Sequence, residues 1–238
     1  QYDVVPNNKC FEQLLLIRKR SNLELTMIIE HFITSAFMPD IDSIMIVIDT
    51  NPQLFFIEAL MKYNIIVPNF KCVEKLFECR ATVHEKIKIF DFFASIGFKP
   101  ETNCLHKALQ SGNNIIVEHL MTYDISIDAK CIGLLSKIYP QDHMMDLFQI
   151  ILSKGYIPNT VTIYEVLEYP NIELIKCILG YRIILDRVCV DLLLKKCFTS
   201  NFIQLFELLV AYNLPVKKSD AVYLNIKGVK IMMLDRFS

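Results

Sequence analysis

The sequence predicts an all-α fold, a helical solenoid (α-solenoid) of about eight helix-turn-helix repeats with few or no strands. Three observations carry this prediction. One phrase recurs along the chain, the stretches between its copies have helical periodicity, and a polar break divides each stretch in two. A helix pair that cannot bury its apolar faces alone is stabilised when neighbouring pairs stack and share a core. We therefore expect a single repeat domain over residues 1–238.

The recurring phrase consists of an apolar helix end, a short extended connector that usually holds Pro or Asp, and a new amphipathic segment. Successive copies are 33, 28, 33, 27, 31, 27 and 31 residues apart. Long units of 31 to 33 residues therefore alternate with short units of 27 to 28. The predicted units start at Val4, Phe37, Ile65, Phe98, Ile125, Tyr156, Ile183 and Leu214.

Each unit has the pattern of two antiparallel helices. In the fifth unit, apolar residues with helical spacing run from Ile132 to Ile138 and again from Leu147 to Ile151, and Pro140 lies between them. The other units contain similar breaks rich in Ser, Asp and Asn, which are residues that cap a helix well. The sequence thus predicts a first and a second helix in every unit.

Glycines are expected at the ends of second helices. Gly97, Gly155 and Gly180 each follow the second helix of a unit. Glycine takes a left-handed conformation at low cost, and such a residue commonly ends a helix. We expect all three to be left-handed.

The composition excludes several classes of protein. Hydrophobic residues make up 53% and charged residues 21% of the chain, which is not the profile of a disordered protein. Apolar runs are much shorter than the roughly 20 residues that cross a bilayer, so we expect no membrane insertion. A net charge of −1 gives no long-range attraction to phosphate, so we do not expect nucleic acid as a partner. Eight cysteines without a CxxC pair indicate the reduced thiols of an intracellular, cytoplasmic protein.

The fourth unit carries a resemblance to a known family. Its run NCLHKALQSGNNIIVEHLMTYDISID resembles the ankyrin repeat, of the divergent kind found in giant DNA viruses. The matching residues are Leu105, His106, Ala108, Gly112, Asn113, Ile116, Val117, Leu120 and Met121. The resemblance implies a module that binds other proteins, located in the host cytoplasm or the virion if the source is viral. It also implies that His106 stabilises a turn by hydrogen bonds.

A second family is similar to another part of the chain. The run GYIPNTVTIYEVL in the sixth unit resembles the opening of a pentatricopeptide repeat, which implies binding of single-stranded RNA. Two observations favour the ankyrin-like interpretation. The units are shorter than pentatricopeptide repeats, and the sequence pI near 6.6 provides no basic surface for RNA.

One small residue recurs at the start of the first helices, and we call this position the slot. The slot residues are Cys10, Ser43, Cys72, Cys104, Cys131, Thr162 and Cys189. A helix N-terminus lowers the pKa of a thiol, so these cysteines could be reactive. We favour a structural explanation, in which the slot requires a small, weakly polar residue that packs between neighbouring units.

The sequence shows no arrangement of residues suited to catalysis. The five histidines are scattered through separate units, and no nucleophile, zinc-protease or phosphate-loop motif occurs. Cys104 and His106 are close in sequence, but no second pair of ligands accompanies them as a zinc site requires. We expect no enzyme, no cofactor and no metal.

These observations favour a non-catalytic interaction scaffold that binds a protein of unknown identity through the connectors and the exposed face of the first helices. The apolar C-terminal end, residues 229–234, is a further expected contact. The alternatives are single-stranded RNA binding and a structural subunit of a larger assembly such as a virion or organellar complex. The candidate binding residues in the connectors are Asp40, Asn69, Glu101, Asp128, Asn159 and Arg187.

Overall fold

Helices make up the regular secondary structure in the computed structural model, which describes residues 7–16, 22–34, 37–50, 52–61, 66–138, 141–195, 202–217 and 220. The described residues form 14 helices and no strand, so the predicted all-α class is confirmed. None of these helices combines the length and the apolar character needed to span a bilayer. The helices are α1 (Asn8–Leu15), α2 (Asn22–Thr34), α3 (Ile41–Thr50), α4 (Leu54–Met61), α5 (Phe70–Glu78), α6 (Val83–Ser95), α7 (Thr102–Ser111), α8 (Asn114–Leu120), α9 (Ala129–Leu135), α10 (Gln141–Ser153), α11 (Thr160–Glu168), α12 (Ile172–Leu179), α13 (Arg187–Lys195) and α14 (Phe202–Ala211).

The chain divides into two compact units, Gln1–Ile125 and Ser126–Ser238. Below, the first and the second unit mean these two, and the shorter predicted units are called repeats. In the first, α1, α3, α5 and α7 pack against one another in chain order, and α2, α4, α6 and α8 do the same. In the second, α9 packs against α11 and α11 against α13, while α12 packs against α14. Stacked helix pairs produce this order within a unit. The solenoid, the number of repeats and the single domain over residues 1–238 stay predictions.

The first helices share one pattern of burial, which explains why they pack in rows. Four residues spaced i, i+1, i+4 and i+5 form a narrow stripe on one side of the helix. In α5 the buried stripe is Cys72, Val73, Leu76 and Phe77. In α11 it is Thr162, Ile163, Val166 and Leu167. The stripe begins at the slot residue, so the slot belongs to the core of these helices, whereas in α1 the slot residue Cys10 is exposed.

Left-handed residues lie directly before the connectors, and one of the three glycine predictions is wrong. Gly97 (φ 107°) and Gly155 (φ 88°) are left-handed as predicted. Gly180 has a φ of −58° and continues the helical turn. The chain reverses two residues later at Arg182 (φ 56°), and Asn213 (φ 64°) takes the same place after α14. In these four repeats the left-handed residue lies seven positions before the slot, whether it is Gly, Arg or Asn, whereas Asp124 at the same place before Cys131 is not left-handed.

Gly133 in α9 allows the backbones of α9 and α11 to approach closely. A Cβ atom built on Gly133 would lie 2.9 Å from both the Cβ and the carbonyl oxygen of Glu165. The contact is with backbone and Cβ atoms, which cannot move aside as the tip of a long side chain can. Glycine costs about 1 kcal/mol relative to alanine inside a helix, and the close packing offsets that cost.

We expect Gly133→Ala to lower the free energy of unfolding by about 1–3 kcal/mol, because the added methyl group overfills the contact with Glu165. Urea denaturation measures the change. Lys130→Ala is the matched control, since Lys130 is exposed on the same helix and its loss should change stability by less than about 0.5 kcal/mol. A Gly133→Ala protein as stable as the parent would contradict the close approach.

Candidate functional site

The first helices begin at a common type of N-cap. In six of them a side-chain oxygen accepts a hydrogen bond from the backbone N–H three residues later, over 2.9 to 3.3 Å. The six capping residues are Asn7, Asp40, Asn69, Asp128, Asn159 and Asp186. The donors are slot residues, so the slot is the N3 position of a capping motif. The N-cap and slot together form the sequence signal Asn/Asp-x-x-Cys/Ser/Thr, which the sequence analysis did not identify.

The slot side chain can also accept a hydrogen bond from the backbone N–H of the N-cap residue. Ser43 Oγ accepts a hydrogen bond from the backbone N–H of Asp40 at 3.1 Å. Thr162 Oγ1 accepts one from the N–H of Asn159 at 3.0 Å. Such a reciprocal pair is a capping box. Hydroxyl and thiol groups can both accept this hydrogen bond in little space, which explains why the slot holds only Cys, Ser and Thr in these repeats.

Asp220 extends the same arrangement beyond α14. Its carboxylate accepts a hydrogen bond from the backbone N–H of Lys217 at 2.8 Å, three residues before it. The carboxylate also accepts two hydrogen bonds from the guanidinium of Arg187, at 2.5 and 2.8 Å. Asp220 is buried, and the arginine lowers the pKa of its carboxyl group. The eighth predicted unit therefore uses an aspartate in the slot, held by a cation of the preceding repeat.

The four buried slot cysteines are not activated thiols. Cys72, Cys104, Cys131 and Cys189 are buried, whereas Cys10 is exposed. Burial raises the pKa of the four buried thiols, to about 12 for Cys131 and about 11 for Cys189. Hydrogen bonds from the cap backbone lower the pKa but are the smaller effect. Desolvation of the thiolate thus outweighs the helix N-terminus, which argues against a redox role.

We expect iodoacetamide to alkylate Cys10 well before Cys72, Cys104, Cys131 and Cys189 in the native protein, because only a solvent-accessible thiolate reacts rapidly. Peptide mass spectrometry of timed samples measures the order. Raising the pH to about 9 should leave Cys131 protected, since the raised pKa keeps the buried thiol protonated. Denatured protein, in which all sites react alike, is the control. Early labelling of Cys131 would exclude the buried slot.

The structure gives the predicted binding residues positions of two kinds. Asp40, Asn69, Asp128 and Asn159 are N-caps, as described above, and each is exposed. Glu101 precedes α7 in the same position but makes no side-chain cap hydrogen bond. These five side chains occupy equivalent positions of different repeats. The four capping side chains have a structural role that sequence reasoning did not assign, and their contact with a partner stays a prediction.

The guanidinium of Arg187, the sixth predicted binding residue, binds carboxylates of the second compact unit. Besides Asp220, its guanidinium Nε donates a hydrogen bond to Asp191 at 3.1 Å. These carboxylates raise the pKa of Arg187, so the group stays charged. The predicted apolar contact at residues 229–234 and the predicted unit starts at Val4 and Ile65 lie outside the described residues.

We expect Glu101→Asp to raise the free energy of unfolding by about 0.5–1 kcal/mol, because the shorter carboxylate fits the N-cap of α7 at constant charge. The reverse change, Asp128→Glu, is the matched comparison and should lower it by about 1 kcal/mol. Urea denaturation of both variants measures the two changes. Equal responses of the two sites would show that the cap geometry does not distinguish Asp from Glu.

Four exposed aliphatic side chains lie at the start of two neighbouring first helices. Ile157 is 74% and Ile184 is 80% exposed, and each lies five residues before a slot. Val161 is 51% and Val188 is 47% exposed, and each directly precedes a slot. The hydroxyl of Thr160 donates a hydrogen bond to the carbonyl of Ile184 at 3.0 Å, which places the two repeats side by side. We call Ile157, Val161, Ile184 and Val188 the connector surface.

The charged groups beside the connector surface are paired within the second unit. Tyr164 donates a hydrogen bond to the carboxylate of Asp186, and Arg187 binds Asp220 and Asp191. The carboxylate of Asp186 raises the pKa of the Tyr164 hydroxyl to about 12, so the tyrosine stays a donor. A charged partner would compete with these pairs, whereas an apolar partner would leave them intact. The local chemistry favours an apolar contact.

The same two positions hold other residues in the remaining described repeats. Met38 and Val67 are exposed five residues before their slots, but charged residues, Asp42 and Lys71, directly precede those slots. In the fourth and fifth repeats both positions are polar, with Lys99, Asn103, Ser126 and Lys130. Among the described repeats, the sixth and seventh alone are aliphatic at both positions. Exposed aliphatic residues at both positions of two adjacent repeats are unusual, whereas single exposed apolar residues are ordinary.

No protein-family model, curated protein or solved structure matches this chain. The ankyrin and pentatricopeptide resemblances therefore stay predictions. His106, the most distinctive residue of the ankyrin-like run, lies in α7 and is buried. The function is therefore inferred from the exposed side chains of the described residues.

Proposed function

We propose that the protein is a non-catalytic interaction module that binds a protein partner through the connector surface. The observation that carries this proposal is the exposure of Ile157 and Ile184, at 74% and 80%, in equivalent positions of adjacent repeats. Exposed aliphatic clusters mark sites that another apolar surface covers. The predicted scaffold role and the resemblance to ankyrin repeats, which bind proteins, agree with this proposal.

The connector surface can supply the apolar centre of an interface. Full burial of a Val or Ile side chain contributes about 1.5–3 kcal/mol, so two isoleucines and two valines could provide most of the affinity of a modest complex. The side chains are carried by the ends of packed helices and by capped connectors, so little conformational entropy is lost on binding. The paired charges around them form the polar rim that protein interfaces commonly have.

The RNA-binding alternative has no support in the connector surface. RNA binding requires cations for phosphate and aromatic or polar groups for bases. The connector surface consists of aliphatic side chains, and its neighbouring cation Arg187 is held by two carboxylates. A partner protein with exposed aliphatic residues complements these four side chains better than RNA does.

We expect Ile157→Asp/Ile184→Asp to reduce capture of the native partner at least tenfold, because two apolar contacts are replaced by carboxylates that would be buried without a partner. Affinity capture from the native source with quantitative mass spectrometry measures the ratio for each recovered protein. The substituted side chains are exposed, so the unfolding midpoint should change little.

Met38→Asp/Val67→Asp is the matched control for this experiment. These residues occupy the same register in the first unit and are also exposed, at 73% and 49%, but a charged residue precedes each slot. The control variant should capture the partner as the parent does. Equal capture by all three proteins, or equal loss in both variants, would contradict a role for the connector surface.

A further inference from the structure

Two positions of each first helix in the first unit, the slot and the residue one turn after it, are buried in all repeats but the first. Each of α3, α5 and α7 packs against the first helix that precedes it. In these three helices both positions have almost no exposed surface. The pairs are Ser43 and Val47 in α3, Cys72 and Leu76 in α5, and Cys104 and Ala108 in α7.

The first repeat leaves the same two positions open to solvent. Cys10, the slot residue of α1, is exposed, and Leu14, one turn later, is half-buried. Phe11 and Leu15 are buried, as their counterparts in α3, α5 and α7 are, so another side of α1 is packed normally. Among the described residues no helix precedes α1. The slot and the residue one turn later therefore form the side of a first helix that faces the preceding repeat.

The second helices of the first unit show the same difference. Two positions, fifteen and eleven residues before the slot of the following repeat, are buried in α4, α6 and α8. These residues are Ile57 and Met61, Ile89 and Phe93, and Ile116 and Leu120. Their counterparts in α2, Ile28 and Phe32, are both half-buried. We call Cys10, Leu14, Ile28 and Phe32 the stacking face.

The stacking face has the composition of an interior surface. None of its four residues is charged, whereas the terminal repeat of a stacked protein normally has a polar outer face that keeps it soluble. Its largest side chain is already held in place, because the ring centroid of Phe32 lies 6.0 Å from that of Phe11 and 4.9 Å from that of Phe37. An apolar surface that is already ordered loses little conformational entropy when another apolar surface covers it.

A second copy of the chain is the occupant that these observations favour. In α3, α5 and α7 the equivalent residues are packed by helices of this same chain, so a helix pair of this kind is the surface that such a face fits. At the other end of the described residues, Cys189, Val190 and Leu193 of the last first helix are buried. The stacking face of one copy is therefore matched by the stacking face of another.

The spacing of the stacking face also suits contact with itself. Cys10 and Leu14 are one turn apart, so two antiparallel α1 helices bring the small residue of each copy against the large residue of the other. A contact of one face with its own copy is related by a two-fold axis and closes after two chains, which is the commonest form of homo-oligomer.

We propose that two copies of the chain associate through their stacking faces about a two-fold axis. The helices α1 and α2 have 8 and 13 residues and are about 12 and 20 Å long. Two short helices provide an interface at the low end of the roughly 800 Å² per partner that specific complexes bury. The dimer should therefore be weak, with a dissociation constant in the micromolar range.

Dimerisation goes beyond the proposed function and does not depend on it. The connector surface belongs to the second unit, so a dimer formed through the first unit carries two connector surfaces. A partner with two or more binding sites would then be held more tightly than one connector surface can hold it, because the second contact is intramolecular.

Sedimentation velocity of the full chain from about 1 to 100 μM tests the proposal, with a shift from monomer to dimer as the expected result. Cys10→Glu/Leu14→Glu should weaken dimerisation at least tenfold, because four carboxylates would be buried without partners. Cys10→Glu alone should weaken it several-fold and leave the fold intact, since Cys10 is exposed and Glu suits the N3 position of a cap.

Leu23→Glu/Met27→Glu is the matched control, with the same change of charge. Both side chains lie on α2 outside the stacking face and are 72% and 62% exposed. Their counterparts in α6, His84 and Lys88, are exposed as well, so this side of a second helix does not face the preceding repeat. The control should dimerise as the parent does.

Alkylation of Cys10 by iodoacetamide gives a second readout on the unsubstituted protein. In dilute, monomeric protein Cys10 should react first, as expected above, and its rate should fall several-fold once the chain is dimeric. The rate at Cys177, half-buried in the second unit, should not change with protein concentration.

A chain that stays monomeric at every concentration, including one that binds a different protein through the stacking face, would overturn the proposal. A dimer that Cys10→Glu/Leu14→Glu leaves intact, or that the control weakens equally, would also overturn it, as would a dimer in which Cys10 reacts as fast as in the monomer. None of these results bears on Ile157 and Ile184, so the connector surface is tested separately.

Discussion

The side-chain cap at the start of six of the seven described first helices is the interaction on which the rest of the structure depends. A short Asn or Asp side chain accepts the N–H of the slot residue, and in the repeats with Ser43 and Thr162 the slot hydroxyl accepts the cap N–H in return. Four backbone donors at a helix start have no partner within the helix, and the cap supplies one for the slot N–H. The cap therefore fixes where these helices begin, and the buried stripe starts at the slot residue, three positions after the cap. A one-residue shift would rotate the stripe by about 100° and take it off the neighbouring helix.

Because the cap, the slot and the stripe satisfy the needs of folding, the other positions of a repeat are open to variation. The position directly before the slot holds Asp42, Lys71 and Asn103 in the first unit and Lys130, Val161 and Val188 in the second. These residues differ in charge and size although they occupy the same place on the same kind of helix, since solvent surrounds all of them. Variation at such positions changes the surface without changing the fold, so different repeats can carry different surface chemistry.

The sequence predicted the helical class and the recurrence of the slot, because both depend on local spacing that the chain displays directly. It failed at Gly180, where a glycine near a helix end suggested a left-handed turn that the chain makes at Arg182 instead. It also assigned Asp40 and Asn159 to partner binding because connectors seemed structurally undemanding, whereas their side chains cap helices. The connector surface was not predicted, since Ile157 and Ile184 have the residue type of a core and only their positions show that they are exposed.

The positions of Ile157 and Ile184 show that folding does not require them to be apolar. Pro158 directly follows Ile157, and Leu185 directly follows Ile184; both are buried. The connector therefore already has an apolar group that holds it against the helices. The exposed isoleucines are therefore not needed to anchor the connector, and Lys99 and Ser126 occupy the same position in other repeats. An aliphatic group that folding does not require, repeated in two adjacent repeats beside charges that are already paired, gains free energy only when another apolar surface covers it.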